Sequence, residues 1–217
     1  DFLPYALKSL SVQEVELAVG LLDASGDPRV RALADEYDNL LTYRRHGPDG
    51  GQSDALIEGW ANLDGDWLGW LNADDLLMPD AMVCAANAVR ADSALDVVYG
   101  HSTVVNQAGD MTGYHFNVEP PSKRLLQAGI ISQPSCFFSR AAYESAGGLD
   151  RSLHYVMDWD LWIRMYKSGA DFGFVNTPLS MVLWGANTKT ASLNRRRREE
   201  LRMLIARHAP HEVHKSR

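Results

Sequence analysis

The residues best suited to chemistry are acidic and stand where apolar runs give way to turns. Asp23 follows the apolar run 15–22, Asp49 sits in Pro48-Asp49-Gly50-Gly51, Asp74 and Asp75 follow 67–71, and Asp158 opens an amphipathic segment. Carboxylates gathered on one sheet edge can hold a hard divalent cation and the phosphates that it bridges. Any one of them alone is equally well explained as a helix cap or turn residue, whereas the set favours a site. Leu71-Asn72-Ala73-Asp74-Asp75 is the sharpest piece, because a buried strand runs straight into two adjacent carboxylates with no lysine or arginine nearby in sequence. Such charge is costly unless a cation or water meets it. The glycine turn before Gln52-Ser53-Asp54 opens a helix, whose free amides suit an anion or a polar sugar group.

Alternating elements must position these residues. Hydrophobic spacing predicts strands over 15–22, 40–43, 67–71, 96–106, 111–116, 172–175 and 179–183, and helices over 29–37, 52–61, 79–90, 140–146 and 158–167. Gln107-Ala108-Gly109-Asp110 should turn 96–106 back onto 111–116 as a hairpin. Gly147-Gly148 stops one helix, and Pro79 lies in the first turn of another. At the front, Asp1 can cap a helix with Pro4 in its first turn, so the sheet is expected to lack its usual opening strand. At the far end, Leu201, Leu204 and Ile205 after the arginine run 195–198 predict a terminal helix packed on the body. The pattern is α/β: a three-layer domain with a mixed central sheet that binds ligand at the carboxyl ends of its parallel strands.

Composition narrows the function. The 217 residues are 46% hydrophobic and 23% charged, enough for a full core, and the formal charge of -7 argues against a nucleic-acid partner. No apolar run approaches the roughly 18 residues of a membrane span. Two cysteines, Cys84 and Cys136, are too few for a disulfide framework or zinc cage, which makes a reducing, cytoplasmic compartment the expectation. Arg195 to Arg198 could touch the inner face of a membrane, but Glu199 and Glu200 follow at once and favour a solvated helix face.

Several motifs together carry a resemblance. Phe2-Leu3 with Ser9-Leu10, Asp23-Ala24-Ser25-Gly26-Asp27, Pro48 through Leu56, Gly65-Asp66, Trp70 through Asp75, Gln133-Pro134-Ser135, Gly147-Gly148-Leu149-Asp150 and Met157 through Arg164 stand in the order found in family 2 glycosyltransferases. The chain resembles that family, of the Rossmann-like GT-A fold, nearly up to Thr190. The resemblance implies inverting transfer of a sugar from a nucleotide-diphosphate donor to the hydroxyl of a sugar or lipid-linked acceptor, assisted by Mg2+ or Mn2+, in cell-surface polysaccharide or glycolipid assembly. It implies one domain over 1–217, with a nucleotide-sugar-binding half over 1–100, an acceptor half over 101–190, and a C-terminal helix and tail over 191–217. Asn72-Ala73-Asp74 matches the family's Asp-x-Asp position, with Asp74 as metal ligand and Asn72 in place of the first acid. Asp23 matches the acid that accepts from the nucleobase, and Asp49, Gly50 and Gln52 the turn beside the nucleotide. Asp158 matches the general base, with Met157 where many relatives carry Glu.

Three departures accompany the match. The family's first strand should precede Phe2, the turn at Asp23 to Asp27 is compressed, and Trp184 falls where many relatives carry a histidine near the metal or diphosphate, leaving Lys189, Asn187 or no residue at all to serve the diphosphate. A nucleotidyltransferase would need a basic, glycine-rich triphosphate loop near the front, which is not visible. The alternative from another class is a non-catalytic nucleotide-sugar-binding or scaffold protein. The tryptophans are expected mainly in the core, with Trp159 and Trp184 the best candidates for sugar contact. His208, His211 and His214, spaced by three, are expected in a solvated tail because Pro210 interrupts their helix.

Overall fold

Helix α1 (Leu3–Ser11) starts with proline in its first turn and without a side-chain cap. The computed structural model describes residues 2–119, 123–185 and 194–208, so Asp1, expected to cap α1, lies outside them. Strand β1 (Val19–Asp23), helix α2 (Pro28–Glu36) and strand β2 (Leu41–His46) follow. α2 is started by Asp27, whose side chain accepts from the Arg29 amide. β1 and β2 pair in parallel as a sheet of their own, and α1 closes over it with Leu7 among Val19, Ala34 and Leu41.

The main sheet is built around β5 (Val97–Val105). One edge of β5 runs parallel to β8 (Phe172–Leu183). The other is shared between β7 (Cys136–Ser139), antiparallel to Val97–Tyr99, and β6 (Met111–His115), the second arm of the expected hairpin. Two-residue strands β3 (Trp67–Leu68) and β4 (Leu76–Leu77) complete the order β3-β7-β5-β8-β4.

Strand alternation divides the core. Val97 and Tyr99 of β5, with Cys136 and Phe138 of β7, face a cluster containing Trp162, Leu161 and Ile163 of α6 (Met157–Lys167). Val98 and Phe137 face the other way, onto Ala81 and Ala85 of α4 (Ala81–Ala91). Helix α3 (Gln52–Ala61), matching its predicted bounds, adds Trp60 to the first cluster, and α5 (Arg140–Ser145) ends at Gly147-Gly148. α7 (Arg195–His208) buries Leu204 in the same cluster.

The sequence expectations err where side chains replace strand partners. Residues 67–71 stay in the ladder only to Leu68, because the Gly69 carbonyl accepts Trp60 Nε1 at 3.2 Å and the Trp70 carbonyl accepts Gln133 Nε2 at 2.6 Å. The two closing strands are one, β8, which absorbs its polar middle as register shifts opposite Gly100 and His101. The one mixed sheet expected is divided: among the described residues β1 pairs only with β2, and it meets the body through packing such as that of α3 against β1. Among the described residues no helix is long and apolar enough to cross a membrane.

Candidate functional site

The ends of β1 and β2 hold the first group of candidate residues. Asp23 closes β1 and is 8% exposed. Its Oδ1 accepts from the amide and hydroxyl of Ser25 at 2.8 and 2.5 Å, and its Oδ2 faces His46 Nδ1 at 3.2 Å. Burial pushes its pKa up, but the two Ser25 bonds and His46 outweigh that and hold the carboxyl below its ordinary range. Asp49 is engaged on both oxygens: Oδ1 accepts from the Gly51 amide at 2.9 Å and Oδ2 from Arg45 Nη2 at 2.8 Å. Arg45 also meets Glu58 on α3 at 3.1 Å, so it fastens the glycine turn to both β2 and α3. Beside this group an open recess of about 400 Å³ is lined by Arg31, Asp35, Arg44 and His46.

The glycine turn is dictated locally. Gly51 sits at φ 119°, ψ 179°, a conformation that side chains other than hydrogen rarely adopt. A Cβ on Gly50 would meet Asp54 Oδ2 at 1.7 Å. These two glycines let α3 begin with Gln52, Ser53 and Asp54 aimed at three different neighbours. Gln52 Nε2 donates to Asn72 Oδ1 at 2.7 Å, Ser53 Oγ lies 3.1 Å from Met157 Sδ, and Asp54 pairs with Arg151 at 2.6 Å.

Asn72 is the hub of the second group. Its Nδ2 donates to Asp75 Oδ2 at 2.9 Å and to Gln133 Oε1 at 3.1 Å. Asp75 turns inward, 4% exposed, and accepts the Leu183 amide of β8 at 3.3 Å. Burial pushes its pKa up to about 7, and the neighbouring charge of Asp74 adds to the rise against the Asn72 and Leu183 hydrogen bonds. Asp74, half-buried in the turn between β3 and β4, makes no hydrogen bond or ion pair with any described residue.

Asp158 is the second residue of α6, and its Oδ1 accepts the Trp159 amide at 2.8 Å. Its charge helps to raise the pKa of Cys136, whose main cause is full burial. The indole of Trp159 is committed to the Leu125 carbonyl at 2.6 Å, whereas Trp184 is 49% exposed. Asn187, Lys189, His211 and His214 lie outside the described residues.

The structure therefore links Gln52, Asn72 and the Asp74-Asp75 turn directly, and joins Asp23 and Asp49 through Arg45, whose Nη1 also reaches the Asp23 carbonyl at 3.4 Å. Asp158 adjoins through Met157 and Ser53. Gln133 and Arg45 are the members that reasoning from sequence missed. Gln133 had a signal in the quoted Gln-Pro-Ser motif; Arg45 had none, being one of three basic residues at the end of a strand.

A divalent cation can be tested against these groups. Mg2+ and Mn2+ take oxygen ligands, commonly one or two carboxylates with phosphate and water filling the rest. No trio of His, Cys, Asp or Glu able to hold a metal occurs among the described residues. Asp74, without a partner among the described residues, fits such an ion provided that a diphosphate supplies further ligands.

Comparison with known proteins agrees with the fold. The chain is 23% identical over 177 residues to a chondroitin synthase of Escherichia coli and 24% identical over 172 residues to a hyaluronan synthase of Pasteurella multocida, each match covering 79% of this chain. It spans only 25% and 18% of those relatives. Among solved structures, S. aureus TarS 1-349 in complex with UDP-GlcNAc matches 99% of this chain and 65% of its own, with a TM-score of 0.74 at 14% identity. A mannosyltransferase from Pyrobaculum calidifontis in complex with GDP-Man and Mn2+ matches 99% of this chain and 60% of its own, with a TM-score of 0.60 at 18% identity. The expected GT-A architecture is thus shown. The model of glycosyl transferase family 2 matches residues 1–147, more than half of the sequence, and the chain belongs to that family.

Proposed function

We propose that the protein transfers a sugar, with inversion, from a nucleoside-diphosphate donor to an acceptor hydroxyl, with residues 1–100 binding the donor and 101–190 the acceptor. The observation that carries this is the Asn72 hub. It ties Gln52, Gln133 and Asp75 together and leaves the Asp74 carboxylate, beside the glycine turn, without a partner among the described residues. In this reading Asp74 would hold Mg2+ or Mn2+. The bound ion supplies neutralisation of the charge that develops on the departing diphosphate.

The chain's own groups do the rest. Asp23, kept ionised by Ser25 and His46, accepts from the nucleobase. Asp49 and Arg45 hold the turn of Gly50 and Gly51 rigid, so the α3 amides stay pointed at the donor. Gln52 and Asn72 orient the Asp74 turn. Asp158 takes the proton of the acceptor hydroxyl, and inversion follows when that hydroxyl attacks from the side opposite the diphosphate.

The relatives support the coarse chemistry. TarS is seen with UDP-GlcNAc and with UDP, and the Pyrobaculum enzyme with GDP-Man and Mn2+. Chondroitin and hyaluronan synthases and an O-antigen biosynthesis protein of Myxococcus xanthus favour a saccharide acceptor in polysaccharide assembly. The reading implies a cytoplasmic site of action, where nucleotide sugars are drawn upon.

Calorimetric titration with UDP and with GDP, each with and without Mn2+, tests the site. Binding that needs Mn2+ and weakens at least about tenfold in Asp74→Ala is expected. Binding of neither nucleotide, or binding indifferent to both the metal and the substitution, overturns the reading.

A further inference from the structure

The C-terminal helix α7 carries a polar, arginine-rich sequence, yet one stripe of it is buried: Glu200, Leu204 and His208, four residues apart. Leu204 packs into the core, as any helix face would. The two polar members grip a single short segment of the acceptor side. Glu200, 4% exposed, accepts the amides of His154 and Tyr155 on one oxygen at 3.0 and 2.6 Å, while Arg196 holds its other oxygen at 3.0 Å. His208 Nε2 meets the fully buried Asp160 at 2.8 Å, and Arg207 bridges Asp160 and Asp150 at 3.1 and 2.9 Å. Asn194, just before α7, hydrogen-bonds the Tyr155 hydroxyl.

These contacts bracket Asp158. The helix holds residue 150, then 154 and 155, then 160, and Asp158 falls within the last interval. A buried carboxylate that accepts two consecutive backbone amides fixes the direction of a loop, which burial of apolar surface alone does not. Burial pushes the Glu200 pKa up, and the amides of Tyr155 and His154 with Arg196 bring it below its ordinary value, so the acceptor is ionised near neutral pH.

We infer that Glu200 is a positioning residue for the acceptor side, and that α7 is a strap that sets the His154-to-Asp158 turn and with it the aim of the Asp158 carboxylate. The inference rests on Asp158 acting as the base. It concerns a helix beyond the 1–147 span that defines the family.

Three variants of the full chain test it. Glu200→Gln keeps an oxygen in place for both amides, Glu200→Asp keeps the charge but draws it back by a methylene, and Glu200→Ala removes both. Amide exchange over 153–160 and steady-state hydrolysis of UDP-GlcNAc with Mn2+ are the readouts. In the Asp and Ala variants, exchange over 153–160 is expected to quicken about tenfold, with exchange elsewhere unchanged. In both, kcat is expected to fall about 10- to 100-fold with KM for the donor within about twofold, as misplacement of a reacting group predicts. The Gln variant is expected to stay within about threefold of wild type in both readouts. Unchanged exchange or unchanged kcat in the Asp variant, or loss in Gln with retention in Asp, overturns the positioning role. Failure of the wild-type chain to turn over UDP-, GDP- or dTDP-sugars overturns glycosyl transfer instead, and the exchange pattern then decides the strap by itself.

Discussion

Asn72 donates its side-chain amide to Asp75, a buried carboxylate that no lysine, arginine or histidine among the described residues pairs with. The pair sits under the turn that presents Asp74, so protonation of Asp75 and geometry of the site are coupled. With a folded pKa of about 7 against an ordinary 3.8, Asp75 holds a proton in the folded chain where the unfolded chain has lost it. The folded state then binds more protons, and stability falls as pH rises through that window. Urea melts in the presence of chelator should show a loss on the order of 2 kcal/mol between about pH 5 and pH 8, absent in Asp75→Asn. Because His208 acts in the opposite sense over the same range, the comparison is wild type minus Asp75→Asn, and a difference that does not change between these pH values refutes the assignment.

Gly51→Ala is expected to cost about 1–3 kcal/mol, because its backbone lies in a region that alanine occupies only under strain. The penalty should be accompanied by weaker nucleotide binding, since Gln52 begins α3 one residue later. A thermal midpoint within a degree of wild type would show that the turn relaxes freely.

Asp160 anchors α7 to α6 through Arg164, Arg207 and His208. Lys167 Nζ lies 3.3 Å from His208 Nδ1 and can only donate, so Nδ1 carries the lone pair and Nε2 the proton given to Asp160. Burial lowers the His208 pKa against the pull of Asp160, so the ring is neutral in the folded chain where the unfolded chain would begin to charge it. Its contribution is present above the ordinary pKa of 6.5 and fades as pH falls below it. Asp160→Ala leaves Arg164 and Arg207 facing a void and is expected to destabilise by about 3–5 kcal/mol in equilibrium urea unfolding.

Asp158→Asn should leave donor affinity within about twofold and reduce kcat at least about 100-fold, with the product anomer of the wild-type reaction read by proton NMR as inverted. Equal, measurable turnover in mutant and wild type would remove Asp158 as the base, whereas no turnover in either would favour the non-catalytic binding protein.

The sequence disclosed some of this architecture and concealed the rest for identifiable reasons. α3 matched its predicted bounds because the glycine turn and the apolar face at 56, 57 and 60 agree on where the helix begins and what it buries. The β3 segment was overextended because its later carbonyls are satisfied by Trp60 and Gln133, side-chain partners that no periodicity encodes. His208 belongs to two spacings: 208, 211, 214, broken by Pro210, predicts a solvated tail, whereas 200, 204, 208 is the helical stripe that buries it. Asn72 is legible as a site residue, but its three-way role is not, because Gln52 and Gln133 lie 20 and 61 residues from it in sequence.

The capping of Asp75 by Leu183 spans 108 residues and sets an order of events during synthesis. Among the described residues β4 pairs only with β8, and β8 also supplies the long parallel edge of β5. As the chain leaves the ribosome, the glycine turn and the Asn72 segment emerge long before the strand that completes their surroundings. The Asn72-to-Asp75 turn is therefore no early folding unit: its buried carboxylate stays hydrated until residue 183 arrives, and a nascent chain halted short of that point exposes β4 and one edge of β5 to whatever chaperone or neighbouring strand is at hand.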